Sequence, residues 1–444
     1  MSSPRVQEAL RGASQTWSVL LGTGVLSAVE RVFSENFGGL PVMVVADSNT
    51  FEIAGRAVME YFRNAGRQVE TPFIFPGAPV LHADYEHVAE LRAVLCQTPA
   101  IAVAVGSGTI NDLTKLASHE CGKPYMVVAT AASMDGYVAF GAAITKDGFK
   151  QTISCAAPRA LLADTSILAA APLAMTGSGY ADLLGKVTAG ADWLLADAFG
   201  VEPIMPAAWS LVQPDLRTCL GQPAALRAGD LAATEALIEG LVLGGLAMQV
   251  AESSRPASGC EHQFSHLWEM EGLTPVSHGF KVGIGSLAIA ALYEWLLAWD
   301  PAGLDIDGLC AAWPTREALT AEIRAAIPNP VLAEKAVEVS LAKHLTPVQL
   351  AERLTILKEK WPALREALRA QMMTAGALRE WLQAAGCPVT PEGIGLTPAV
   401  MRDTFRRARY IRSRYTLLDL IVETGNHVAA MESLFGPGGF YGAH

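Results

Sequence analysis

What most constrains this chain is an alternation that fills its first 170 residues. Short apolar, β-branched runs at residues 17–21, 41–46, 68–75, 100–105 and 125–129 are separated by helical periods at 51–65, 85–95 and 111–119. Strand–helix alternation of this kind predicts a parallel sheet covered on both faces. A hairpin is expected over 142–153, turning at Lys146, Asp147 and Gly148. Beyond about residue 172 the strand-like runs almost disappear. Ala/Leu-rich helical stretches punctuated by Pro and Gly take over, at 231–251, 280–299 and 350–359 among others. The expected architecture is an α/β Rossmann-like domain with a parallel sheet over 1–170, followed by an all-α domain over 171–444.

Composition narrows what such a chain can do. Its 444 residues exceed one ordinary core, while 51% apolar and 17% charged residues supply ample buried interior and exclude a disordered chain. A formal charge of −11 argues against nucleic acid as a partner, which needs dense Lys and Arg, but leaves room for a small anion held by one or two local cations. The seven cysteines are scattered, odd in number and free of any CxxC pair, so reduced thiols are expected. The opening MSSPRVQEAL carries Glu8 and no apolar run, so no secretory signal is expected. The longest uncharged run, 165–181, is broken by Pro172, Gly177 and Gly179 and would not make a stable membrane span. A cytoplasmic location without membrane insertion is the expectation.

Two polar turns fall at the carboxyl ends of expected strands. In AVAVGSGTINDLTK (102–115) an apolar strand runs into Gly106, Ser107, Gly108 and Thr109, and then into a helix through Ile110, Asn111 and Asp112. Glycines admit close approach of a ligand, and a helix N-terminus offers free N–H groups to a pyrophosphate. The GxGxxG fingerprint is absent, because position 111 is Asn, and a plain strand-to-helix turn would look the same. Thr130, Ala131, Ala132 and Ser133 form the second turn. Open α/β sheets bind ligands at that edge, so the two turns reinforce each other. Asp47 ends an expected strand, where it would accept hydrogen bonds from an adenosine ribose or cap the next helix.

Three of the nine histidines fall within 17 residues, in SSRPASGCEHQFSHLWEMEGLTPVSHGFKVG (253–283). His262 and His266, four apart, share one helical face, and His278 precedes the next helix. Two imidazoles and a carboxylate suffice for a divalent ion with a position left open for substrate. The best carboxylate is Asp182, in the small-residue, apolar stretch GYADLLGK, where an unpaired acid would be costly. Glu261 and Glu269 are rival ligands.

These residues carry a family resemblance. GSGTINDLTKLAS (106–118), TAASMDG (130–136), ADTSILAAAP (163–172), GYADLLGKVTAGADW (179–193), SRPASGCEHQFSHLWE (254–269), SHGFKVGIG (277–285) and RYTLLDL (414–420) resemble the sn-glycerol-1-phosphate dehydrogenases. These form a branch of the iron-containing alcohol dehydrogenase and dehydroquinate synthase superfamily. The likeness is strongest to the bacterial form encoded near arabinose genes, and it runs from about residue 15 to about 430. It implies metal ligation by Asp182, His262 and His278, with zinc the first choice and nickel or iron also suited. It implies NAD(P)H held by Gly106–Asp112 and by Thr130–Ser133, and substrate contacts from Asp135, Asp182 and His266, with Asp135 and His266 catalytic. The substrate would be a small phosphorylated ketose or polyol, whose phosphate needs a cation: Arg255, Lys186 and Lys281 are candidates. On this reading 1–170 binds nucleotide, 171–444 binds metal and substrate, and a homo-oligomer is expected. Two positions depart from the family pattern, Ala139 where a serine is usual and Phe280 where HGE is usual. A dehydrogenase of an unphosphorylated polyol and a dehydroquinate-synthase-like lyase are the alternatives.

Overall fold

A computed structural model describes residues 3–146 and 149–442. Asp147 and Gly148, the centre of the expected hairpin turn, lie outside the described residues. The strands are β1 (Ser18–Gly22), β2 (Val42–Asp47), β3 (Phe73–Phe75), β4 (Ile101–Gly106), β5 (Tyr125–Ala129), β6 (Ala142–Lys146), β7 (Phe149–Ile153) and β8 (Ala160–Asp164). Six form one sheet in the order β1-β8-β5-β4-β2-β3, with every neighbouring pair parallel. β6 and β7 pair antiparallel as the expected hairpin. Every residue of β4, β5 and β8 is buried, which is why these strands read as unbroken apolar runs and not as alternation. Val44, Val103 and Met126 of the sheet pack with Phe33 and Phe62 of the covering helices in one core.

Two elements differ from expectation. β8 reads ALLAD, with no β-branched residue, so its composition suggests helix; pairing on both sides, to β1 and β5, makes it an inner strand. β3 is shorter than 68–75, because Val69 makes only an isolated bridge to Val42. From β2 the chain moves outward to β3, then returns to β4 and proceeds the other way to β5. The order of strands therefore reverses between β2 and β4, where open α/β sheets take their ligands. Asp47 and Gly106 stand at those two strand ends.

Six helices matter below: α1 (Gly108–Glu120), α2 (Leu173–Leu184), α3 (Lys186–Ala198), α4 (Leu231–Ala251), α5 (Cys260–Met270) and α6 (His278–Ala298). The chain forms two compact units. The first comprises Met1–Leu183, Pro206–Ala257 and Ala384–Cys387; the second comprises Leu184–Met205, Ser258–Gln383 and Pro388–His444 and is all-helical among its described residues. The first unit therefore takes in α4, which a division at 170/171 assigns to the helical half. The reason is local bonding: the Gln249 side chain on α4 accepts from the Gln15 and Thr16 amides and donates to Thr16 Oγ1, tying the helix to the approach to β1.

Among the described residues two helices are long and apolar enough to cross a membrane, α4 and α6, but 72% and 78% of their most apolar windows are buried inside the protein. The expectation of reduced thiols is corrected at one pair. Cys96 and Cys121 form a disulfide across 25 residues, because helix Tyr85–Leu95 and α1 pack together and end side by side. The other five cysteines are free.

Candidate metal and cofactor site

The turn after β4 is built to present backbone. Ser107 is the N-cap of α1, yet its side chain makes no capping bond, so the first-turn N–H groups are not satisfied by it. The side chains that follow have structural tasks. Ile110 is buried in the core, and Asn111, fully buried, accepts from Tyr125 Oη at 2.9 Å. Asp112 accepts from the Ala143 amide at 3.1 Å, which anchors β6. Lys115, which the motif analysis did not single out, donates to the carbonyls of Gly136, Ala139 and Gly141 and so fixes the segment after Asp135. Asp47 is an N-cap: its Oδ1 accepts from the Asn49 and Thr50 amides, each at 2.8 Å, and Thr50 completes a capping box.

The second turn is enclosed rather than open. Thr130, Ala131 and Ala132 are buried, and Ser133 is half-buried. The Ala131 carbonyl accepts from Tyr137 Oη at 2.6 Å. Gly179 of α2 lies so close that a Cβ there would sit 1.9 Å from the Ala132 carbonyl oxygen. Only glycine permits that approach. It brings Asp182, one turn along α2, to the segment after the turn, where Asp182 Oδ2 accepts from the Asp135 amide at 3.0 Å. Asp182 is fully buried, and Asp135 is half-buried. Ala139, the departure from the family's serine, packs with Met248 and Ala257 in a small apolar cluster.

The histidines lie on α5 and at the start of α6. Gly285 of α6 meets the backbone of Glu261, and a Cβ there would lie 2.8 Å from the Glu261 carbonyl oxygen, so the two helices cross in close contact. The rival carboxylates stand behind the rings. Glu261 Oε1 is 2.7 Å from His262 Nδ1 and accepts from the Gly259 amide at 2.6 Å, while Oε2 accepts from Thr188 Oγ1 at 2.7 Å. Glu269 Oε1 is 3.0 Å from His278 Nδ1 and 3.1 Å from Lys281 Nζ. Burial pushes the Glu261 pKa up, but hydrogen bonds from His262, Thr188 and Gly259 override it and hold the carboxyl below its ordinary value. With both Nδ1 atoms engaged by carboxylates, each ring has Nε2 to offer to an ion, as carboxylate–histidine pairs do in metal sites. Within the second unit the rings of His262 and His278 stand 5.3 Å apart, centroid to centroid. Two imidazoles oriented in this way, together with a carboxylate, are a donor set that suits a divalent ion.

His266 stacks on His278, with ring centroids 5.9 Å apart and an interplanar angle of 21°. Arg412 Nη2 is 3.1 Å from His266 Nδ1, and since a guanidinium can only donate, Nδ1 accepts and Nε2 carries the proton. Burial, and then the Arg412 charge, push the His266 pKa well below its ordinary value, so the ring is neutral. Of the expected cations, Arg255 and Lys186 are 1% and 0% exposed, and Lys281 is engaged by Glu269. Phe280 is half-buried on the first turn of α6. Arg412 escaped the sequence reading; the available signal was a run of five arginines between 406 and 414, the last of which opens the RYTLLDL motif.

Residues 20–172 match the iron-containing alcohol dehydrogenase family. Glycerol dehydrogenase from Schizosaccharomyces pombe superimposes with a TM-score of 0.59 at 15% identity, over 97% of this chain and 96% of that one. The fold is thus shared with that glycerol dehydrogenase. Glycerol-1-phosphate dehydrogenase [NAD(P)+] of Halalkalibacterium halodurans is 37% identical over 279 residues, which span 62% of this chain and 70% of the relative. The enzyme of the same name from Bacillus velezensis is 30% identical over 421 residues, 94% of this chain and 93% of the relative. The chain belongs to the glycerol-1-phosphate dehydrogenase family.

Proposed function

We propose that this protein is a metal-dependent oxidoreductase that interconverts dihydroxyacetone phosphate and sn-glycerol 1-phosphate with NAD(P)H. The reading is carried by membership of this family together with its donor residues, a fully buried Asp182 in the first unit and His262 and His278, each backed by a carboxylate, in the second. A divalent ion held by Asp182, His262 and His278 supplies Lewis-acid polarisation of a ketone, and zinc is the first candidate for that donor set, ahead of nickel and iron. The dinucleotide supplies hydride. Its pyrophosphate is assigned to the backbone from Gly106 to Asp112, at the start of α1, and its neighbouring portions to Thr130–Ser133. Both capping bonds of Asp47 fall on Oδ1, which leaves Oδ2 for a ribose hydroxyl.

His266, neutral and protonated on Nε2, acts as a hydrogen-bond donor that orients substrate oxygen and does not act as a net acid. Asp135, whose amide is tied to Asp182, is the second substrate contact and the group through which a proton is relayed to the reduced oxygen. A cytoplasmic location and a homo-oligomeric state belong to the same proposal, the latter to be tested by light scattering.

The deciding assay follows NADH and NADPH absorbance with dihydroxyacetone phosphate, with stereochemical analysis of the product and elemental analysis of the protein. Expected are net coenzyme oxidation, the sn-1 product and about one ion per chain, lost in Asp182→Asn, His262→Ala and His278→Ala. Turnover without net change in NADH would favour the lyase alternative. Equal turnover of dihydroxyacetone would favour an unphosphorylated polyol. Full metal content in His278→Ala would overturn the ligand set.

A further inference from the structure

Within the second unit, buried and half-buried cations generally close on carboxylates. Lys281 pairs with Glu269 at 3.1 Å, Lys343 with Asp419 at 2.8 Å and Arg353 with Glu423 at 2.6 Å, while Arg407 pairs with Glu271. Arg412 does not follow this rule. Its hydrogen-bond partner is the neutral ring of His266, and the acid that acts on it through space, Glu269, is already bonded to His278 and Lys281. Arg412 is half-buried, and desolvation lowers the pKa of its guanidinium below the ordinary value, as for a cation partly withdrawn from water without full compensation. Such a group is costly in the free protein unless an anion arrives with the substrate.

The position suits that anion. Arg412 contacts His266, and the His266 ring stands 5.9 Å, centroid to centroid, from both His262 and His278. One imidazole therefore separates the guanidinium from the ligand histidines, a span of the order of a three-carbon phosphate ester. A guanidinium fork matches phosphate oxygens in a bidentate arrangement, which a lysine cannot reproduce. Its neighbour Arg414 is occupied differently, donating to the Ser258 carbonyl at 2.7 Å.

We infer that Arg412 is the residue that receives the phosphate of the substrate and makes the site specific for phosphorylated three-carbon ketones. This inference rests on the proposed function and assigns to Arg412 the task that the sequence left among Arg255, Lys186 and Lys281. The test compares kcat/KM for dihydroxyacetone phosphate and dihydroxyacetone in the metal-loaded wild type, Arg412→Met and Arg412→Lys. Inorganic phosphate serves as an inhibitor and as a protectant against thermal unfolding. The preference ratio should fall on the order of a hundredfold in Arg412→Met and by less in Arg412→Lys. Phosphate should raise the wild-type melting temperature and leave that of Arg412→Met nearly unmoved.

A folded Arg412→Met protein that keeps the wild-type ratio would overturn the inference. So would an equal loss on both substrates, because Arg412 would then only orient His266. If Arg412→Met does not fold, an unchanged ratio and unchanged phosphate protection in Arg412→Lys would have the same force. A wild type that never prefers the phosphorylated ketone would bring down the proposed function itself, and that result is visible before any substitution is made.

Discussion

A carboxylate behind an imidazole decides which nitrogen carries the proton and which way the ring points. Here Glu261 and Glu269 perform that task for His262 and His278, and Glu261 is itself held by Thr188 and the Gly259 amide. Glu261→Gln and Glu269→Gln should each weaken metal affinity roughly ten- to hundredfold while leaving one ion per chain at saturation. Competition against a chelator of known affinity measures this, and wild-type affinity in both variants would show that the carboxylates are bystanders. The spacing of the three histidines was readable in the sequence, whereas the roles of the acids were not. A glutamate adjacent to a ligand histidine can coordinate or orient, and the choice depends on where its carboxylate lands after the helices cross.

At the scale of elements, two acids begin helices and do so for different reasons. Asp47 caps the helix after β2, and removing such a cap costs about 1 kcal/mol. Asp47→Asn keeps a capping oxygen and removes only the charge. The expected result is a melting temperature close to wild type and an increase in NADPH use relative to NADH. An unchanged coenzyme preference would leave Asp47 a cap alone. Glu30, in the first turn of helix Val29–Phe37, accepts from Arg67 at 2.8 Å and from Ser34 at 2.7 Å. The Arg67 bond, then that of Ser34, hold its pKa below the usual glutamate range. The folded state therefore binds fewer protons than the unfolded state as pH falls through that range, so the stabilisation is complete above it and fades below it. Because the Glu30 side chain is 27% exposed, screening limits the effect, and Glu30→Gln should cost about 0.5–1 kcal/mol at pH 7. The gap between variant and wild-type melting temperatures should shrink as pH is lowered toward about 4, through the ordinary glutamate range. A pH-independent gap would mean that packing, not charge, is what the substitution disturbs.

For the whole molecule, the Cys96–Cys121 bond closes a loop with a sequence separation of 25 residues. Loop-closure entropy of that size stabilises by about 3.5 kcal/mol at most, since the helices it joins are already packed together. Reductant should lower the wild-type melting temperature by several degrees and leave Cys96→Ser/Cys121→Ser unmoved. A wild type indifferent to reductant would show that the thiols are not joined in the purified protein.

By itself the sequence determined the parallel sheet, the change to helix beyond it and the family, because strand–helix alternation, apolar runs and motif spacing are properties of contiguous residues. Spacing alone left Glu261 and Glu269 as rival ligands, and the family resemblance carried by those motifs pointed to Asp182, His262 and His278 as the candidate donors. Tertiary structure alone decided that ALLAD is an inner strand, that α4 belongs with the sheet, that Cys96 meets Cys121, and that Glu261 and Glu269 stand behind histidines. It also decided that Arg412, 146 residues from His266 in the chain, contacts that ring. Each of these depends on what a side chain or segment meets after distant parts of the chain pack together, and no local period encodes such a partner.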